Sequence, residues 1–215
     1  VLLAVLAWDE ALSHLDILVE KEFKLSQVLK TRGDVYFDLG QFAEAAHDYE
    51  ASINADKTDP SNSIKAGKLL KCFVRIGNFA KAEEYVGSVD QPGASDFLQA
   101  EKLLAAGQFK ELTVILDRIR QNAPSDPKGN LIYGRMMLQQ NSPEKAEEAL
   151  VILQRAILGS TRDIDLYRVT VDLARATGDE TLAGLAQQNV DLLDKLNRQY
   201  AEQLAAVVKT RDAFD

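Results

Sequence analysis

A short turn motif returns along this chain and restricts what it can fold into. Gly40-Gln41-Phe42-Ala43-Glu44-Ala45 is echoed by Gly77-Asn78-Phe79-Ala80-Lys81-Ala82 and by Gly107-Gln108-Phe109-Lys110-Glu111-Leu112. Each begins with a residue suited to the left-handed conformation that ends a helix and places an aromatic two residues later; five later stands a small Ala, replaced by Leu112 in the third copy. Asn141-Ser142-Pro143-Glu144-Lys145-Ala146 and Gly178-Asp179-Glu180 continue the series in weaker form, Asn being the other residue that tolerates this backbone and Ala183 holding the small position. Successive turns are 37, 30, 34 and 37 residues apart. The flanking segments carry apolar residues at helical three- and four-residue intervals. A helical hairpin of that size cannot bury its apolar face alone, so it must stack on its neighbours. The spacing therefore predicts an all-α chain of consecutive hairpins.

The best-preserved unit spans Leu25 to Ala55. Gly33 and Tyr36 share a face of its first helix, and Ala45 and Tyr49 share a face of its second. Small residues let two helices approach to roughly 8 Å, and the tyrosines fill the groove beside them. With Gly33, Tyr36, Ala45 and Tyr49 in these places, the unit resembles a tetratricopeptide repeat. Leu29 stands in the usual Trp place, Arg32 in the usual Leu place, and no Pro appears until Pro60. The resemblance implies one right-handed α-solenoid domain over 1–215. Its parts are a partial repeat at 1–23, repeats at 25–57, 60–90, 93–122, 126–159 and 161–190, and a capping helix at 190–215.

Helix starts and ends follow from local chemistry. Val1 to Glu22 reads as one helix with a Leu12, Leu15, Val19, Phe23 stripe, and Trp8 and Ala11 precede Phe42 and Ala45 by 34 residues. Asp59-Pro60, Asp126-Pro127 and Ser142-Pro143 are expected helix starts, with Asp or Ser as cap and Pro in the first turn, and another helix is expected to start near Pro92-Gly93. Asn122-Ala123-Pro124 closes the third unit. Asp163 to Thr177 is a further helix. From Thr181 one long helix, or two nearly continuous ones, carries Leu185, Leu192, Leu193, Leu196, Tyr200, Leu204 and Val207 as an apolar stripe. Two roles stay open for that stripe: capping the last repeat, or contact with a second copy.

With 46% hydrophobic and 27% charged residues the chain is ordinary for a globular protein, and a net charge of −8 argues against a nucleic-acid partner. Val1 to Trp8 is too short to span a bilayer. Val5-Leu6-Ala7 reads either as the tail of a secretory signal or as the end of a preceding repeat helix, so the compartment stays open between cytoplasm and a secreted or periplasmic location. Cys72 is the single cysteine, expected as a small core residue, and no internal disulfide exists. His14 and His47 lie in different units and are not expected to hold metal. Gly67-Lys68 lacks the spacing of a phosphate loop, and no nucleophile elbow or His-Glu-x-x-His helix occurs. Glu83-Glu84 and Glu147-Glu148 are adjacent on a helix and point apart. The expectation is a non-enzymatic chain without cofactor.

The resemblance places function on the first helices, whose exposed faces line the concave groove of this family. The implied groove positions are Lys30, Asp34 and Phe37; Gly67, Lys71 and Val74, with Arg75 beside them; Phe97, Glu101 and Leu104; Leu131, Arg135 and Leu138; and Arg168, Asp172 and Arg175. Asp34 and Gly67 replace residues that family members use to clamp a chaperone's C-terminal carboxylate. The implied groove is instead a mixed one, suited to a protein or peptide with acidic positions. Self-association through the last helix or through the edge at Val1 is the alternative.

Overall fold

The computed structural model describes residues 2–122, 127–141, 143–159 and 163–212, and side chains within 8–122, 127–141, 144–157 and 163–200 together with Gln203 and Ala206. Pro124 and the expected caps Asp126 and Ser142 lie outside the described residues, as do the side chains of Val1 to Ala7, Pro143, Leu204 and Val207. The described residues form eleven helices, and their contacts group into two compact units: Val1–Ala94 with Leu196–Asp215, and Ser95–Lys195. The last helix contributes to both.

The first unit contains α1 (Leu2–Glu20), α2 (Leu25–Asp38), α3 (Phe42–Ala55), α4 (Asn62–Arg75) and α5 (Phe79–Val86), each packed on the next. The second contains α6 (Ala94–Ala105), α7 (Phe109–Asn122), α8 (Pro127–Gln140), α9 (Pro143–Gly159) and α10 (Ile164–Thr177), followed by α11 (Glu180–Asp212). Here α8 packs on both α9 and α10, so neighbouring first helices touch as well as hairpin partners.

The turns are where the motif puts them. Gly40, Gly77, Gly107, Asn141 and Gly178 all have positive φ, between 50° and 79°. Five residues beyond each turn, Ala45, Ala82, Leu112, Ala146 and Ala183 are buried, and Ala11 is their counterpart in α1. Gly33 is a close-approach glycine: a Cβ there would sit 3.1 Å from Tyr49 Cε1 and 3.3 Å from Asp48 Cβ. At the tip of the hairpin Phe42 packs back on Phe37, ring edge to face, with centroids 5.4 Å apart. Cys72 is buried, and burial pushes its thiol up to about 12.

Three local expectations are corrected. The first helix stops at Glu20, not Glu22, because Glu22 and Lys24 both take left-handed backbone and turn the chain into α2. No glycine marks that turn. α4 starts at Asn62, later than Asp59-Pro60 suggested. Asp59 still caps locally, since its carboxylate accepts from the Ser61 N–H at 2.8 Å, but it also accepts from the Lys65 ammonium at 2.8 Å. Finally, the described part of the α11 stripe is mostly uncovered, with only Leu193 half-buried. Ala183, Ala186 and Val190 are the buried face, whereas Leu185, Leu192, Leu196 and Tyr200 are about half exposed. The buried side of α11 therefore carries its smaller residues and the larger ones face outward.

The Lys65–Asp59 pair gives the first unit a defined acid response. The Lys65 side chain is fully buried and also donates to Ser26 Oγ at 3.1 Å. Its hydrogen bond, then those from Ser61, holds the Asp59 carboxyl down to about 2. An unfolded Asp titrates at about 3.9. The stabilisation is therefore present above that value and lost as pH falls toward the folded one. The expected outcome is that Asp59→Asn lowers the urea midpoint at about pH 6, and that the gap to the parent closes between about pH 4 and pH 2. A gap constant across that window counts against the pairing.

Candidate functional site

The implied groove residues fall into two classes, those engaged within the fold and those on its surface. Asp34 on α2 is the centre of an engaged set. Its carboxylate accepts from Lys30 Nζ at 2.8 Å, from Lys68 Nζ on α4 at 2.6 Å, and from the Tyr49 hydroxyl on α3 at 2.6 Å. Burial alone would raise this carboxyl. The hydrogen bonds from Lys30, Lys68 and Tyr49 outweigh burial, and it titrates below the usual value. Burial and the Asp34 carboxylate push the Tyr49 phenol up. Phe37 is engaged with Phe42. None of Lys30, Asp34 or Phe37 is a free ligand contact.

The second unit repeats this arrangement one hairpin pair on. Arg135 Nη1 on α8 reaches Glu101 Oε1 and Oε2 on α6, at 2.7 and 2.8 Å. Asp34 to Lys68 and Glu101 to Arg135 are each 34 residues apart, acid first and base second. Both join neighbouring first helices. Leu104, placed in the groove by the resemblance, is instead buried in the core with Leu112 and Leu116. It sits in the last turn of a helix of only 12 residues, where the apolar side chain is drawn under the following turn.

The surface class comprises Lys71 and Arg75 on α4 and Arg168, Asp172 and Arg175 on α10, all exposed. Lys71 and Arg75 are one turn apart, opposite the buried Ala66, Leu69, Leu70 and Phe73. Arg75 lies over the Phe42 ring, 5.9 Å from its centroid. On α10 the separation is sharper. Within 166–175, Leu166, Tyr167, Val169, Thr170, Val171, Leu173 and Ala174 are buried, and the three exposed residues are Arg168, Asp172 and Arg175. Arg168 also lies 3.6 Å from Asp165 and from Asp194.

Sequence reasoning missed the ties that hold these faces in place. Arg32 on α2 makes a two-point contact with Asp48 on α3, Nε to Oδ2 and Nη2 to Oδ1, both 2.7 Å, and reaches Asp16 on α1 at 2.6 Å. Its signal was present: Arg32 occupies a place where the repeat pattern has Leu. Between second helices, the Tyr85 hydroxyl donates to Glu50 Oε1 at 2.7 Å. Burial, then Glu50, pushes that phenol up.

Among the described residues no group of three or more His, Cys, Asp or Glu is placed to hold a metal ion. No described helix is long and apolar enough to cross a membrane. No protein-family model matches the chain, and no curated protein does.

Proposed function

We propose that this chain is a non-catalytic protein-binding module built from tetratricopeptide-like hairpins. The finer reading of the fold, a right-handed α-solenoid, belongs to the same proposal. The observation that carries it is the strip on α10. A helix buried on nearly every side keeps one exposed row, and that row is Arg168, Asp172 and Arg175, the triplet that family likeness puts in the groove. Lys71 and Arg75 form a similar exposed pair on α4. Two cations one or two turns apart on a helix suit a carboxylate-bearing segment, because each adds charge-assisted hydrogen bonds without further desolvation of a core. The ligand class is a peptide or protein surface with acidic positions. Glu101 and Arg135 position their helices and are not ligand contacts in this reading.

The test is selection of a random displayed peptide library on the immobilised chain, alongside Arg168→Glu/Arg175→Glu. The parent is expected to enrich Asp- and Glu-containing peptides. The variant should keep its helical circular dichroism and bind the enriched peptides about tenfold or more weakly. No enrichment by the parent, or equal binding by the variant, would remove the proposal.

A further inference from the structure

The exposed row on α10 has a charge order as well as a charge. Arg168, Asp172 and Arg175 all lie in the second unit and are all exposed. At about 100° per residue they fall within about 60° of arc. At about 1.5 Å of rise per residue, Asp172 stands about 6 Å along the axis from Arg168, and Arg175 about 4.5 Å further on. The order is base, acid, base.

Opposite charges three and four residues apart on a helix are neighbours that can pair. Among the described residues these three nevertheless form no ion pair with one another. Arg168 lies 3.6 Å from both Asp165 and Asp194, ion-pair distances too long for a hydrogen bond. Asp172 and Arg175 have no ion-pair partner among the described residues. The acid in the middle of the row is therefore not consumed by the bases on either side of it.

A partner that answers this order presents acid, base, acid. A second helix does so with acids seven residues apart and a base three or four residues from each, because its rise matches that of α10. An extended strand does not. Side chains on one of its faces recur about every 6.6 Å, so the third would stand about 13 Å along rather than about 10.5 Å.

Resting on the peptide-binding reading above, we propose that the partner segment is a helix with two acidic residues seven apart and a basic residue between them, and that Asp172 is the residue that selects the base. Arg168 and Arg175 attract the acids. Asp172 attracts the base and sets like charge against any acid in its place.

Two helical peptides of identical composition test this, each carried in an alanine- and glutamine-rich host of about 20 residues. One contains Glu-x-x-Lys-Lys-x-x-Glu, which offers a central base for either direction of approach. The other contains Lys-x-x-Glu-Glu-x-x-Lys. The parent chain is expected to bind the first about fivefold or more tightly than the second. Asp172→Asn should narrow that ratio, and Arg168→Glu/Asp172→Lys/Arg175→Glu should invert it, each at unchanged helical circular dichroism. A parent that enriches acidic peptides from the library but binds these two equally, or a ratio that Asp172→Asn leaves unchanged, overturns this proposal and leaves the broader reading in place. A parent that enriches no acidic peptide removes both.

Discussion

Replacing Arg32 with alanine is expected to destabilise the first unit by about 3–5 kcal/mol, the cost of stranding a buried charge. The Asp48 side chain is 2% exposed, and Arg32 meets both of its oxygens. Removing the guanidinium leaves a carboxylate that water cannot reach. The chain must then hold it with no closer partner than His47 Nδ1, 3.5 Å from Oδ1, protonate it, or open the α2–α3 hairpin. The Asp16 contact adds little, since that side chain is half exposed and screened by solvent. Because Asp48 lies beside the tight Gly33–Tyr49 crossing, a side-chain shift there is resisted by packing. Urea unfolding followed by circular dichroism measures the effect. Arg32→Ala/Asp48→Ala should lose less than Arg32→Ala alone, since the double variant leaves no poorly paired buried carboxylate. A loss under about 1 kcal/mol for Arg32→Ala, typical of surface pairs, would mean that the hairpin does not depend on this contact.

The second large effect is expected at the α8–α9–α10 crossing. A Cβ on Gly134 would lie 2.9 Å from Leu153 Cδ1 and 2.9 Å from Val169 Cγ1, both closer than atoms tolerate. Leu153 can rotate its end away, whereas Val169 is β-branched and stiff. Gly134→Ala is therefore expected to cost about 1–3 kcal/mol by overpacking. Leu153 is fully buried, and Leu153→Ala should cost about 2–5 kcal/mol through lost burial and the cavity left behind. The two changes act on the same space with opposite sign. The double variant should therefore lose measurably less than the sum of the singles, by the same unfolding assay. Additive losses would show that the small residue at 134 is not there to admit Leu153.

The placement of the groove residues divides along a physical line. Helical periodicity is local, so the sequence already puts Arg168, Asp172 and Arg175 on one face of α10. Pairing is not local. Asp34 and Lys30 are four residues apart, and the sequence shows that neighbourhood, but Lys68 joins them only because α4 crosses α2 at that height. The same crossing rule turns Arg135 from an expected ligand contact into the partner of Glu101. The 34-residue acid-to-base spacing carried that information, yet the repeat lengths of 37 and 30 residues between early turns obscured it.

What the amino-acid sequence determined by itself is the succession of hairpins. Glycine or asparagine at five turns, and a buried apolar residue five places later, alanine in four of them, depend on backbone sterics and near-neighbour packing that any stretch of chain feels locally. The tertiary structure decided which of two apolar faces on α11 is covered. Leu185, Leu192, Leu196 and Tyr200 are the more hydrophobic choice, yet Ala183, Ala186 and Val190 are the residues the fold buries. Helices packed against one another select for shape at the contact, and no count of apolar side chains along a single helix contains the shape of its neighbour.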